Sequence, residues 1–80
     1  MKDQKIKQDI CIGTNIRKLR LRAGLTQEQM AAKLQLEGID VSRSFYSHIE
    51  CGTYSIRISE LLAIRRILNA TYKELFEGLE

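Results

Sequence analysis

Residues 25–52, LTQEQMAAKLQLEGIDVSRSFYSHIECG, contain the start and stop signals of two consecutive helices. Thr26 and Gln29 have the residue types and the spacing of a capping box, in which each side chain accepts a hydrogen bond from the backbone N–H of the other residue. Ser42 is a preferred helix N-cap, and Gly52 is of the type that most often ends a helix. We therefore predict one helix from the Thr26 cap to about residue 36 and another between Ser42 and Gly52.

The second of these helices has an apolar side and a polar side. Tyr46 and Ile49 lie three residues apart, so they share one side of a helix and are expected to be core residues. The other side carries short polar groups and an arginine in place of the long charged side chains that would best suit a solvated face. These residues are Arg43, Ser44, Ser47 and His48. Such a face is suited to short-range hydrogen bonding with a patterned surface.

A first and a fourth helix are predicted from apolar stripes with helical spacing. The first covers about residues 10–23 and is ended by Gly24; its stripe consists of Ile12, Ile16 and Leu19. The fourth has Ser55 or Ser59 available as its cap and Asn69 as a left-handed terminator. Its broad apolar face consists of Leu61, Leu62, Ile64, Ile67 and Leu68.

The last helix and the composition complete the prediction of the fold. Thr71 and Glu74 form a second capping box, which opens a short fifth helix to about residue 76. The 80-residue chain has no proline, and its apolar residues are mostly Ile and Leu. We therefore predict a single all-α domain over residues 10–80, preceded by a flexible basic arm, residues 1–9.

The basic residues are concentrated at one end of the chain. Residues 1–22 carry seven Lys and Arg against two Asp, a net charge of +5, whereas the remaining residues have a net charge of −2. A basic end on a small domain is suited to a polyanion such as nucleic acid. A solubilising surface would have the same composition. Charge alone therefore leaves both interpretations open.

Cysteine usage and hydropathy limit the compartment and the cofactors. No apolar segment follows the basic start as it would in a secretory signal, and no stretch approaches the ~18 apolar residues of a membrane span. We therefore expect a cytoplasmic protein with reduced thiols and without membrane association. Cys11, His48 and Cys51 could be drawn as metal ligands, but their spacing matches no common zinc motif. Neither a metal nor a cofactor is predicted.

The order of elements in the middle of the chain is that of a helix-turn-helix. A capped helix with the small residues Ala31 and Ala32 is followed by a connector and a second capped helix. Small residues allow the two helices to approach closely. The outer face of the second helix can then enter a DNA major groove, where base edges present a pattern unique to each base pair.

The segments RKLRLRAGLTQEQMAAKL, residues 17–34, and VSRSFYSHIECG, residues 41–52, resemble the helix-turn-helix of the Cro/phage-repressor (XRE) family of bacterial regulators. The later segment ISELLAIRRILNATYKELF, residues 58–76, resembles the fourth and fifth helices of that family. The resemblance covers about residues 12–77. It implies an all-α, five-helix repressor-type fold and sequence-specific binding to double-stranded DNA, as a homodimer on a two-fold operator.

The resemblance also implies roles for individual residues. Those expected to read bases are Arg43, Ser44, Ser47 and His48. Those expected to contact phosphates or brace the recognition helix are Gln27, Thr26, Arg17 and Lys18. Arg20 and Glu50 match a pair that forms a structural salt bridge between the first and third helices.

Some of these positions allow another interpretation. Gln27 could serve only as a favourable first-turn residue. Arg43 can bind guanine O6 and N7 in bidentate fashion, but it could instead contact a phosphate. Phe45 lies between the two sides of its helix, and we expect it to be a partial core residue rather than a probe of thymine methyl groups.

The sequence departs from the family pattern in three places. Six residues separate Leu34 from Val41, five more than in the usual connector, so we expect the recognition helix to be held at a shifted angle. Cys51 stands where the family often has a polar residue near phosphate. Arg57 stands where a Ser or Thr usually caps, so we expect the fourth helix to start slightly later.

Together these patterns predict a DNA-binding transcriptional regulator, a repressor that occludes its operator as a dimer. The alternative is a protein-interaction module of the same fold, of antitoxin-like or adaptor type, because the recognition helix is poor in Lys and Arg. One histidine without a paired acid or a glycine-rich loop offers no catalytic groups, so an enzyme is not predicted, nor is a small-molecule ligand. Leu75, Phe76 and Leu79 either form the dimer surface or complete the core.

Overall fold

The computed structural model describes residues 5–6, 12–53 and 55–79. This part of the chain contains five helices, which confirm the predicted all-α fold. They are α1 (Gly13–Arg22), α2 (Gln27–Leu36), α3 (Arg43–Cys51), α4 (Ile58–Leu68) and α5 (Tyr72–Leu75). Two short segments, β1 (Lys5–Ile6) and β2 (Ile56–Arg57), pair in antiparallel orientation.

The helix-turn-helix pair, α2 and α3, begins and ends where its capping residues predict. Thr26 Oγ1 accepts a hydrogen bond from the Gln29 N–H at 3.0 Å, and Gln29 Oε1 accepts one from the Thr26 N–H at 2.8 Å. Ser42 Oγ accepts a hydrogen bond from the Phe45 N–H at 3.2 Å and so caps α3. Gly52 ends α3 with a φ of 75°, a left-handed conformation that glycine adopts without steric cost. The predicted bounds of both helices are confirmed.

The start of α4 was predicted wrongly. Arg57 is the N-cap residue, so α4 starts directly after it and neither Ser55 nor Ser59 is the cap. The Glu60 carboxylate accepts a hydrogen bond from the Arg57 N–H at 2.8 Å. An acidic side chain in the first turn thus makes the half of a capping box in which the N-cap N–H is the donor, which does not need a hydroxyl at the N-cap. The predicted terminator of α4, Asn69, is left-handed with a φ of 51° and is confirmed.

The core lies where α3 packs against α1 and α2, and where α2 packs against α4. Tyr46 and Ile49 are fully buried there, as predicted from their spacing. Ala31 is buried at the contact between helices, whereas Ala32 is exposed. Burying an aliphatic or aromatic side chain of this size stabilises the fold by about 1.5–3 kcal/mol, so α3 is held firmly by its apolar side.

The first turn of α1 lies against the last turn of α3. A Cβ added at Gly13 would lie 2.6 Å from the Ile49 carbonyl oxygen and closer still to that of Glu50. Glycine is therefore required for this approach. The start of α1 faces the carbonyl end of α3, an arrangement in which the opposite partial charges of the two helix ends attract.

Two residues of the predicted basic arm, residues 1–9, belong to the described part of the chain. The register pairs Lys5 with Arg57 and Ile6 with Ile56. This pairing joins the start of the chain to the segment between α3 and α4. The predicted flexibility of the arm's other residues lies outside the described residues, as does the predicted start of the first helix at residues 10 and 11.

The end of the chain is fastened to α1 by polar contacts. Asn15 Nδ2 donates hydrogen bonds to the carbonyl oxygens of Leu75 and Glu77, both at 2.9 Å. Arg22 Nη1 donates to Glu74 Oε2 at 2.6 Å. The short helix α5 is therefore positioned by α1.

The apolar residues near the chain end divide between core and surface. Leu75 is fully buried, so of the two interpretations given above it completes the core. Leu79 is partly buried and packs against the core. Phe76 is 42% exposed and Tyr72 is 50% exposed, so two aromatic rings remain at the surface near the chain end.

Candidate nucleic-acid interface

Helix α3 turns its polar side to solvent. The nine residues of α3 form a helix roughly 13 Å long. An α-helix with its side chains is about 10–12 Å across, which fits a B-DNA major groove about 12 Å wide. The predicted base-reading residues Arg43, Ser44 and His48 are exposed, and Ser47 is half-buried. The buried residues of α3 are Tyr46, Ile49 and Glu50. The structure therefore brings all four predicted base-reading residues to the outward side of one helix.

The buried charge on α3, Glu50, is paired with Arg20 of α1. Arg20 Nε donates to Glu50 Oε2 at 2.6 Å and Arg20 Nη2 donates to Oε1 at 3.2 Å, a bidentate arrangement. Arg20 Nη1 also donates to the Leu25 carbonyl oxygen at 2.7 Å. The two side chains are only 8% and 2% exposed. This pair ties α3 to α1 and to the loop that precedes α2.

The electrostatics of this cluster keep its charges fixed at neutral pH. Burial by itself would raise the pKa of Glu50, but the hydrogen bonds that the carboxylate accepts, above all from Arg20, hold its pKa below the usual 4.5. The hydrogen bond to Glu50 raises the pKa of Arg20. The Tyr46 hydroxyl lies buried beside the pair without a well-aligned hydrogen-bond partner in the described part of the chain, and burial raises its pKa.

Gln27, at the start of α2, contacts the same carboxylate. Its Nε2 donates to Glu50 Oε1 at 3.1 Å, so the amide links the first turn of α2 to the last turn of α3. Gln27 is therefore more than a favourable first-turn residue. Thr26 is exposed, and its oxygen is engaged in the capping box, which leaves its hydroxyl proton to donate. Both residues sit at a helix start, where backbone N–H groups attract anions.

Arg17 and Lys18 are both exposed but face different parts of the molecule. Arg17 lines a pocket together with Gln27 and Cys51, between the starts of α1 and α2 and the end of α3. Lys18 instead lines a pocket beside Glu74, between α1 and the chain end. Consecutive helical residues diverge by 100°, and the packing of α1 decides which one lies near α3. The structure joins Arg17, but not Lys18, to the predicted interface.

Arg43 lies on the side of α3 that faces the start of α2. It lines a groove there together with Thr26, Gln27 and Glu28. From this position its guanidinium is next to the helix start expected to hold a phosphate. Base reading and phosphate contact are therefore both open to Arg43.

His48 is engaged within the chain. Its Nδ1 lies 3.0 Å from Thr53 Oγ1, just beyond the end of α3. A contact with DNA therefore falls to the other ring nitrogen, Nε2, unless the Thr53 interaction is broken. Thr53 itself was not predicted, because a residue after the terminating Gly52 carries no helical periodicity.

Two other residues at the surface of α3 were considered from the sequence. Phe45 is 50% exposed and does not belong to the core cluster, so the prediction that it is a partial core residue is wrong. Cys51 is exposed and shares a pocket with Arg17 and with Thr14 of α1. It lies seven residues after Ser44, on the same side of the helix, which agrees with the near-phosphate position that the resemblance implies.

The lengthened connector between α2 and α3 is anchored at several points. Gln35 Nε2 donates to the Val41 carbonyl oxygen at 2.8 Å, and Val41 itself is buried. Arg66 Nη2 donates to Glu37 Oε1 at 2.7 Å, which joins the connector to α4. Gly38 takes a φ of 82°. The extra residues thus form a turn fixed to the domain, and α3 is held on both ends.

The described residues give no sign of a metal site or a membrane segment. No cluster of three His, Cys, Asp or Glu side chains close enough to hold a metal ion is found in the described part of the chain. Cys11, one of the possible ligands considered from the sequence, lies outside it. None of the helices described is long and apolar enough to cross a bilayer.

Comparisons with known proteins agree with this architecture. A family model described as a helix-turn-helix domain matches residues 12–77. The control protein C.MunI of Mycoplasma sp is 36% identical over 81 residues, an alignment that covers 100% of this chain and 97% of that protein. The comparison with solved structures gave no significant match.

Proposed function

Because the chain belongs to the Cro/phage-repressor (XRE) family of helix-turn-helix regulators and is a DNA-binding transcriptional regulator, we propose that it acts as a repressor. In this proposal a homodimer binds a two-fold operator and places one α3 in each of two successive major grooves. Bound there, it blocks access to the promoter. In this proposal the protein is cytoplasmic and has no catalytic activity.

The observation that carries this proposal is the buried junction of α1, α2 and α3. Arg20, Glu50 and Gln27 fix the last turn of α3 to the first turn of α2. A recognition helix and a phosphate-binding helix start are thereby held as one unit. That coupling is of use to a protein that must match both a groove and the adjacent backbone.

Within this unit the residues take separate roles. Thr26, Gln27 and Arg17 contact the phosphates that flank the groove, where they fix the register of α3. Arg43 binds a guanine, and a bidentate contact of this kind gives about 1–3 kcal/mol of discrimination between bases. Ser44, Ser47 and His48 supply shorter hydrogen bonds to neighbouring base edges; Lys18, on the α5 side, adds only to the general positive potential.

Selection of bound sequences from random double-stranded DNA tests the proposal. The wild-type protein should enrich a two-fold motif, and Arg43→Ala should lose preference at one position in each half-site. Arg22→Ala is the matched control, because Arg22 is an exposed arginine that faces Glu74 and α5 rather than α3. It should enrich the wild-type motif.

Salt dependence separates this proposal from a protein-interaction module. Affinity for the enriched DNA should fall with salt at a log–log slope near −0.9 for each phosphate neutralised. Failure to enrich any motif at moderate salt would contradict sequence-specific regulation. Retention of the full motif by Arg43→Ala would contradict only the base-reading role of Arg43.

A further inference from the structure

The outward side of α3 contains one large apolar group. Phe45 is 50% exposed, while its neighbours Ser44 and His48 are polar. Its N–H donates to Ser42 Oγ, which places it in the first turn of α3. In helix-turn-helix proteins the first turns of the recognition helix are the ones that reach base edges. An aromatic ring is therefore presented at the depth where bases are read.

Phe45 and Arg43 lie on opposite flanks of the exposed face. Residues two positions apart in a helix point in directions 200° apart around its axis. Ser44 and His48 therefore point outward between Arg43 and Phe45. Arg43 borders the groove beside the start of α2. Phe45 is on the far flank, where it meets different base pairs from those that Arg43 meets. The two residues are thus positioned to read different positions of one half-site.

We propose that Phe45 contacts the C5-methyl group of a thymine and makes that thymine part of the recognised sequence. This inference rests on the proposed function and specifies one base of its operator. The thymine methyl is an apolar group in a major groove that otherwise displays hydrogen-bond donors and acceptors. Serine hydroxyls and a guanidinium do not distinguish it by hydrogen bonding. An exposed aromatic ring does so, because its contact with the methyl removes apolar surface of both from water.

The test replaces thymine by deoxyuridine, one position at a time, in the motif enriched by the selection. This change removes the methyl group and leaves the hydrogen-bonding edges of the base pair intact. The wild-type protein should bind about fourfold more weakly when the contacted methyl is lost from one half-site, the change that about 0.8 kcal/mol per buried carbon corresponds to. Loss from both half-sites should weaken binding roughly fifteenfold.

Variants show whether Phe45 is the residue responsible. Phe45→Ala should bind the thymine and deoxyuridine operators equally, with far-ultraviolet circular dichroism showing that it is folded. Leu36→Ala is the matched control, since Leu36 is an 87% exposed apolar residue at the end of α2, and it should discriminate as the wild type does.

The outcomes separate this inference from the proposed function. If the wild type binds an enriched motif but is indifferent to deoxyuridine at every position, the thymine contact is refuted and the regulator proposal stands. Undiminished discrimination by Phe45→Ala would also refute it, because another residue must then contact the methyl. If no motif is enriched, it is the proposed function that fails.

Discussion

Glu50→Gln should destabilise the protein strongly although it changes a single atom of the side chain. The variant keeps the volume of residue 50 but removes the negative charge that Arg20 faces. Arg20 would then stay buried, 8% exposed, and would face only neutral acceptors such as the Leu25 carbonyl oxygen. A buried cation without a counter-charge loses its compensation for desolvation.

The size of the effect follows from burial. Removing one partner of a buried ion pair costs about 3–5 kcal/mol. A domain of this length is stable by about 4–12 kcal/mol, at 0.05–0.15 kcal/mol per residue. The loss is therefore between a quarter of the stability and all of it. With an m-value of about 1.5 kcal/mol/M, 3 kcal/mol moves the urea midpoint by about 2 M.

The chain contains a matched control for this substitution. Arg66 and Glu37 form an ion pair at 2.7 Å, close to the 2.6 Å of the buried pair, but their side chains are 52% and 32% exposed. Glu37→Gln should cost less than about 1 kcal/mol because solvent screens the pair. Urea unfolding of both variants, followed by circular dichroism at 222 nm, compares a buried bidentate ion pair with an exposed pair that has one hydrogen bond.

A double variant completes the test. Arg20→Met combined with Glu50→Gln removes both charges, so it should recover part of the stability that Glu50→Gln alone loses. Equal losses for Glu50→Gln and Glu37→Gln would refute the argument from burial. The losses of stability in Arg20→Met and Glu50→Gln alone are summed for comparison. If the double variant is no more stable than this sum predicts, the two charges are not coupled.

Two further predictions concern the ends of α1. Gly13→Ala should lower the free energy of unfolding by about 1–3 kcal/mol in urea, because the new Cβ must displace the last turn of α3. The amide resonances of that turn should also shift. Unchanged spectra would show that the two helix ends are not in contact. Arg22→Ala should return the pKa of Glu74 from about 2 toward the usual 4.5, as measured by nuclear magnetic resonance titration, because the hydrogen bond from Arg22 is the main cause of the shift. Since the pKa is lowered in the folded state, the stabilisation is present above about pH 4.5 and is lost as the pH falls toward 2, and this acid-dependent loss should be smaller in Arg22→Ala. An unchanged Glu74 pKa in the variant would contradict this cause.

The fold was predictable where a few neighbouring residues determine the structure. The capping residues Thr26 and Ser42 and the left-handed Asn69 act within their own turns, so the sequence shows them directly. The start of α4 was missed because Glu60 caps it from inside the helix. The pairing of β1 with β2 was missed because it joins segments about fifty residues apart and is only two residues long.

The candidate site was predictable only as far as helical periodicity reaches. Periodicity assigns residues to the outer side of α3, but the neighbouring helices decide what each one meets. The packing of α1 decides that Arg17 and Lys18 face different parts of the molecule. The packing of α3 against α2 decides that Arg43 lies beside the start of α2. Phe45 was assigned partly to the core because it lies between the two sides of α3, but it is exposed although only 40° of helical rotation separates it from the buried Ile49.

Helix α1 has a mechanical consequence for any dimer of this protein. One of its sides carries Arg20, which holds α3, and another carries Asn15 and Arg22, which hold α5. It therefore acts as a strut one helix thick, about 10 Å, between the recognition helix and the chain end. If two copies associate through α5, the strut sets the distance between their recognition helices. The permitted spacing of operator half-sites would then be a property of α1, a helix that itself reads no base.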